Sequence, residues 1–173
     1  MKKLLAFLMA FCLVFPLSGC DFAKDIADSA INEKAKAKTF ELDGVSIKLT
    51  TDFLRMDFVS KDYDFVVGDE ELTVMGLEMD FDDSEVAALS VSEFAEFFRS
   101  NMLDSNPTEV EEVSGIPSIQ YRTDSDDGEE LTTAVMFYKG DDCFWAICFA
   151  ADTDDFDELY DDILKYAKSV KVD

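Results

Sequence analysis

The sequence predicts an α+β domain: a single antiparallel sheet of about seven strands with helices packed on it. Three observations carry that prediction. Apolar residues recur with period two from Phe40 to Phe81, and the period changes to 3.6 over ALSVSEFAEFFRSNML, residues 88 to 103. Late in the chain, nine consecutive apolar residues, Cys143 to Ala151, run directly into an amphipathic segment. The order read from these patterns is β-β-β-β-α-β-β-β-α.

The first four strands follow one another closely. FELDGVSIKL turns at Asp43-Gly44 and then places Val45, Ile47 and Leu49 on one face. LRMDF repeats the alternation with Leu54, Met56 and Phe58. YDFVV gives Tyr63, Phe65 and Val67, and after the polar stretch GDEE the run LTVMGLEMDF gives Met75, Leu77, Met79 and Phe81. A helix should then start at Val91. Ser90 and Glu93 have the spacing of a capping box, and Leu89 with Phe94 fits the hydrophobic staple. Its buried stripe is Val91, Phe94, Ala95, Phe98 and Met102, and Asn106-Pro107 lies beyond its end.

Strands resume in EVSGIPSIQYRT, with Ile119 and Tyr121 on one face. Asp127-Gly128 centres a hairpin into LTTAVMFYK, and Gly140-Asp141-Asp142 turns the chain into CFWAICFAA. A sheet with one wet face would alternate here, so the unbroken apolar run marks a central strand covered on both sides. In DTDDFDELYDDILKYAKSVKV the spacing turns Phe156, Leu159, Tyr160, Ile163, Leu164 and Ala167 inward. The acids gather at its start and Lys165 and Lys168 at its end, as the helix macrodipole favours.

Cys143 and Cys148 are five residues apart on that central strand, so they face opposite ways and sit roughly 16 Å apart. A disulfide cannot span that distance, and both read as buried free thiols. Trp145, the only tryptophan, shares a face with Cys143, Ile147 and Phe149 and reads as core.

The front of the chain is of another kind. Lys2 and Lys3 precede fourteen uncharged residues, LLAFLMAFCLVFPL. That run is shorter than the roughly 20 residues a membrane-spanning helix needs, and it suits the apolar core of a secretory signal. It ends in LSGC, which resembles the lipobox of bacterial lipoproteins. In that family the signal is cut between the positions matching Gly19 and Cys20, and the cysteine sulfur carries a diacylglycerol. The resemblance implies a lipid-anchored protein outside the cytoplasm, held to the membrane through Cys20. Asp21 resembles the inner-membrane retention signal of Gram-negative lipoproteins. Each buried acyl methylene adds about 0.8 kcal/mol of membrane affinity. The organisation expected is thus a signal peptide over 1–19, a lipidated cysteine and tether over 20–38, and the domain over 39–173. In residues 21 to 38 four acids balance four lysines, with no Gly or Pro. This tether reaches about 60 Å when extended and about 27 Å as helix.

The domain is strongly acidic. Residues 39 to 173 hold 9 Lys and Arg against 35 Asp and Glu, a balance of −26. Such a surface repels nucleic acid and anionic headgroups, and it complements a protein with a basic surface or divalent ions. The chain has no histidine, which removes Ser-His and Cys-His nucleophilic arrangements and His-ligated zinc. No G-x-S-x-G, S-x-x-K, P-loop, G-x-G-x-x-G or C-x-x-C occurs. No enzyme activity is expected, and no cofactor.

Three acidic clusters bear on weak Ca²⁺ or Mg²⁺ association: Asp124, Asp126 and Asp127 in TDSDDGEE; Asp80, Asp82 and Asp83 in MDFDDSE; and Asp152, Asp154 and Asp155 in DTDDFDE. In TDSDDGEE the glycine falls fifth from Asp124 instead of sixth, and Val135 stands where a calcium loop needs its twelfth-position glutamate. A polar hairpin tip explains the first cluster, and helix capping the last.

The opening DGVSIKLTTDF, the helix VSEFAEFFRSNM, the strand VSGIPSIQYR and an aromatic strand before a last helix together resemble the PsbP-like superfamily, which includes DcrB-type bacterial lipoproteins. The resemblance spans roughly residues 40 to 173. It implies an α/β/α sandwich and a non-enzymatic binding or adaptor module that docks onto another envelope component. The alternative is a lipoprotein that binds a small ligand or divalent cation for a transporter.

Overall fold

The computed structural model of the chain describes residues 36–42, 44–56, 63–81, 84–101, 106–124 and 130–173. Its strands are β1 (Ala37–Leu42), β2 (Val45–Thr50), β3 (Leu54–Arg55), β4 (Phe65–Gly68), β5 (Thr73–Asp80), β6 (Glu111–Val113), β7 (Ile116–Asp124), β8 (Glu130–Lys139), β9 (Cys143–Asp152) and β10 (Lys171–Val172). The helices are a single turn α1 (Ser84–Ala87), then α2 (Val91–Asn101) and α3 (Thr153–Ser169).

The apolar run around Trp145 organises everything else. As β9 it lies fourth of seven in an antiparallel sheet of order β3-β4-β5-β9-β8-β7-β6. Met75 of β5 and Val135 of β8 flank Cys148, while Glu78 and Tyr138 flank Trp145. Because successive side chains alternate across a strand, β9 feeds two cores. Cys143, Trp145, Ile147, Phe149 and Ala151 face one way, and Phe144, Ala146 and Cys148 the other. The expected α+β class and the central, doubly covered strand both hold.

The single sheet of the sequence reading is two. β1 and β2 form the expected hairpin through Gly44, but β2 does not pair with β3; it pairs on its other side with β10, giving a small sheet β1-β2-β10. The physical reason lies in the faces. Val45, Ile47 and Leu49 are buried against the same core as α3, so the hairpin lies over the large sheet beside that helix and does not extend the sheet. The chain supplies β10 by leaving helical geometry at Val170, an extended residue. The last helix therefore ends at Ser169, short of the Lys171–Val172 the sequence pattern included. Asp173 closes the arrangement: its N–H donates to the Gly44 carbonyl at 3.1 Å and its carbonyl accepts from Asp141 N–H at 3.0 Å.

Two strands near the edges also differ. LRMDF yields only Leu54–Arg55 as strand, and the buried residue is Phe53, 1% exposed, one position before the expected stripe. Phe58 and Met102 lie outside the described residues. EVSGIPSIQYRT is not one strand but a hairpin. Ser114 and Gly115 have φ of 56° and 83°, and Val113 pairs with Ile116. A two-residue connection of that hand needs two left-handed residues, which is why a glycine stands there.

α2 starts where its cap predicts. The Ser90 hydroxyl accepts from Glu93 N–H at 3.3 Å, and Glu93 Oε2 accepts from Ser90 N–H at 2.8 Å, the reciprocal pair of a capping box. Phe94, Ala95 and Phe98 are buried as expected, and Val91 is half-buried. Phe94 stacks on Phe144 with ring centroids 4.1 Å apart and planes 3° apart. α3 buries Phe156, Ile163 and Ala167, while Leu159, Tyr160 and Leu164 are half-buried. Tyr138 Oη donates to the Ala167 carbonyl at 2.8 Å, tying the helix end to β8. Asp152 stands at the N-cap but makes no side-chain cap hydrogen bond, so the capping role expected for it is not realised. The charges of Asp154 and Asp155 in the first turn still favour the positive helix end.

Candidate functional site

Most of the residues singled out in the sequence lie outside those the structure describes. Gly19 and Cys20 lie outside the described residues, as do Asp82, Asp83, Asp126 and Asp127. Asp80 is exposed as the last residue of β5. Asp124 ends β7 and pairs in register with Glu130. Among the described residues no group of three or more His, Cys, Asp or Glu is placed to hold a metal ion.

The two thiols are free and buried on opposite faces, as their spacing predicts. Burial pushes each up to about 12, and the Glu78 carboxylate adds to the effect on Cys143. At neutral pH neither is a thiolate, so neither is poised as a nucleophile. Trp145 is fully buried, and among the described residues its Nε1–H has no geometric hydrogen-bond partner. The Cys143 thiol on the same face feels that N–H only as a weak influence holding its pKa down.

Several cations are spent within the fold. Arg99 pairs with Glu96 at 3.0 Å and Glu109 at 3.1 Å, Arg122 with Glu130 at 3.1 Å, and Lys165 with Asp162 at 2.6 Å. Lys139 donates to the carbonyls of Ala87 and Leu89 at 2.7 and 2.9 Å, holding α1 and the start of α2 against the sheet. The acidic excess is therefore left facing solvent, where it sets the field around the domain.

One surface was not anticipated. α2 packs chiefly on β7 and β8, and the same face of the sheet continues across β5, β4 and β3. Register places Leu54 beside Gly68, and Val66 beside Met75. Met56 continues the β3 side, its N–H donating to the Val66 carbonyl at 2.9 Å. The face thus carries Leu54, Met56, Val66, Met75 and Leu77 in adjoining rows. Leu54 is 67% exposed, and the other four are half-buried. Met75 and Leu77 border the α2 core, whereas Leu54, Met56 and Val66 belong to neither core cluster. The signal was present in the sequence. FVV is apolar at both parities, and LRM puts its apolar residues on the parity opposite Phe53, so this half of the sheet is apolar on two faces.

No family model and no curated protein matches the chain. Among solved structures it is similar to cyanobacterial PsbP (CyanoP) from Synechocystis sp. PCC 6803, at 14% identity and a TM-score of 0.49, covering 92% of this chain and 100% of that one. It is also similar to LpqN of Mycobacterium tuberculosis, a protein involved in cell envelope biogenesis, at 10% identity and a TM-score of 0.46, covering 85% and 96%. A third similar structure, from Bacteroides thetaiotaomicron VPI-5482, has 5% identity and a TM-score of 0.48; the match covers 82% of this chain and about half, 49%, of the other. At such identities the likeness concerns the course of the backbone, and the role of each residue has to come from this chain's own chemistry.

Proposed function

We propose that the chain is a lipid-anchored protein of the extracytoplasmic side of a bacterial membrane, whose acidic α+β domain is a non-enzymatic adaptor docking onto a basic surface of another envelope component. The observation that carries the location is LSGC, residues 17 to 20, overlapping the end of the fourteen-residue uncharged run at Leu17. Acidity supports the docking role: a balance of −26 over residues 39 to 173 keeps the domain off anionic headgroups and steers cationic partners toward it. A tether of up to about 60 Å lets the domain reach such a partner while the lipid stays in the bilayer.

Two measurements test the two halves. Metabolic labelling with an alkyne-bearing fatty acid should mark the chain, and Cys20→Ser should abolish the mark and release the protein from membranes. Label and membrane retention unchanged in that variant would sink the anchor. For docking, the mature chain is the bait against solubilised envelope of the native organism. One reproducible partner, lost at about 0.5 M salt where the screening length falls to a few ångströms, is the expected result. No partner at low salt, with a Ca²⁺-specific melting shift instead, would favour a cation-binding lipoprotein.

A further inference from the structure

We infer that the α2-side face of β3, β4 and β5, open at Leu54 among the described residues, is the docking surface itself, and that its occupant is an apolar segment of a partner protein flanked by lysine or arginine. This rests on the adaptor reading and gives it a place.

Leu54, Met56, Val66, Met75 and Leu77 form one apolar strip, on a face whose other half, over β7 and β8, is closed by α2. The strip is bounded by acids at both ends. Beyond Leu54 and Gly68 stand exposed Asp52 and the turn Asp69–Leu72, where Asp69 Oδ1 accepts from Glu71 and Leu72 N–H at 3.0 and 2.8 Å, leaving Glu70 and Glu71 exposed. At the other end stands exposed Asp64, whose Oδ2 accepts from Glu78 N–H at 2.6 Å. Over the described residues from 52 to 80 the chain holds seven acids and one cation, Arg55.

Charge selects the occupant. A second copy brings the same acidic field, so pairing two such faces adds like-charge repulsion to any apolar gain. An anionic bilayer is repelled for the same reason. The chain's own residues 21 to 38 carry four acids and four lysines and offer no cationic excess. An apolar segment with basic flanks satisfies both the strip and its rim.

The test is photo-crosslinking of the full chain in the native organism. A benzophenone amino acid replaces Leu54 or Met56, with Glu158, exposed on α3, as the control position. Adducts at 54 and 56 that map by mass spectrometry to an apolar segment with basic flanks on one partner are expected. Leu54→Asp should cut the yield at position 56 by about fivefold or more, as loss of an interface anchor does, without changing the melting curve. Adducts on residues 21 to 35, on a second copy, on lipid, or on a segment without basic flanks would overturn the proposal. An adduct at 158 alone overturns this surface and leaves the adaptor standing. Silence at all three positions overturns both.

Discussion

The two faces of the large sheet share one central strand and are finished to different degrees. On the α3 side, Trp145, Ile147 and Phe149 are fully buried, and the helix and the small sheet together close over Phe65, Val67 and Val74. On the α2 side, Phe144, Ala146 and Val135 are just as buried beneath Phe94 and Phe98, but the burial stops near β5, leaving Met75 and Leu77 half-covered and Leu54 exposed. Fully burying one large apolar side chain is worth about 1.5–3 kcal/mol, so the closed face supplies most of what holds the domain together. The open half contributes little, and that is the condition under which a face can be given to a partner.

The largest effect should come from emptying the closed face. Trp145→Ala leaves a cavity beneath the small sheet and should cost about 3–5 kcal/mol in denaturant unfolding. A cost under about 1 kcal/mol would mean that the small sheet is not seated on the large one. The same face should also resist overfilling. A Cβ on Gly76 would run into the ring of Phe65, itself 2% exposed and tilted against Trp145 at 6.2 Å. Gly76→Ala should therefore destabilise by about 1–3 kcal/mol, although alanine suits a strand no worse than glycine does.

On the α2 side, the start of the helix sets the next size of effect. Ser90→Ala removes one half of the capping box and should cost about 1 kcal/mol. The partner carboxylate gives this a pH signature. The Ser90 hydroxyl and N–H hold Glu93 below the usual carboxylate range. A group depressed in the folded state stabilises it above the unfolded pKa, about 4.3 for Glu, and that contribution is lost as pH falls through the lower folded value. In Ser90→Ala this acid-side loss should shrink, seen as a flatter melting temperature between pH 5 and pH 3. An unchanged slope would assign the acid sensitivity to other carboxylates.

How much of this was legible follows from what each signal depends on. β9 was readable because nine apolar residues in a row admit no wet face, and α2 because a capping box is a local, four-residue device. Both signals sit inside one element. The division into two sheets was not readable. Val45, Ile47 and Leu49 alternate identically whether β2 joins β3 or lies over the sheet with β10 beside it, and that choice is made by residues more than a hundred positions apart. Phe53 was missed for a related reason: period two fixes spacing but not phase, and a two-residue strand gives too little sequence to set it. Asp152 shows the reverse. Its residue type suits a cap, but its side chain makes no such bond, because residue preference is a tendency and the hydrogen bond a matter of geometry. The open strip was legible only in retrospect, as an apolar parity left over once Phe53, Phe65 and Val67 are assigned inward.

The smallest expected change falls on that strip and bears most directly on the comparison. Leu54 is 67% exposed and lies outside both cores, so Leu54→Ser removes little apolar area that folding had buried. The expected shift in unfolding free energy is within about 0.5 kcal/mol. On the closed face, truncating Ile147 to Ala should cost about 2–5 kcal/mol. The pair measured in one background, residues 21 to 173, reads the asymmetry as a difference, which cancels errors common to both variants. A loss above about 2 kcal/mol for Leu54→Ser would mean that something in the folded protein already covers this end of the sheet. The two faces would then be equally finished, and the strip would belong to the core.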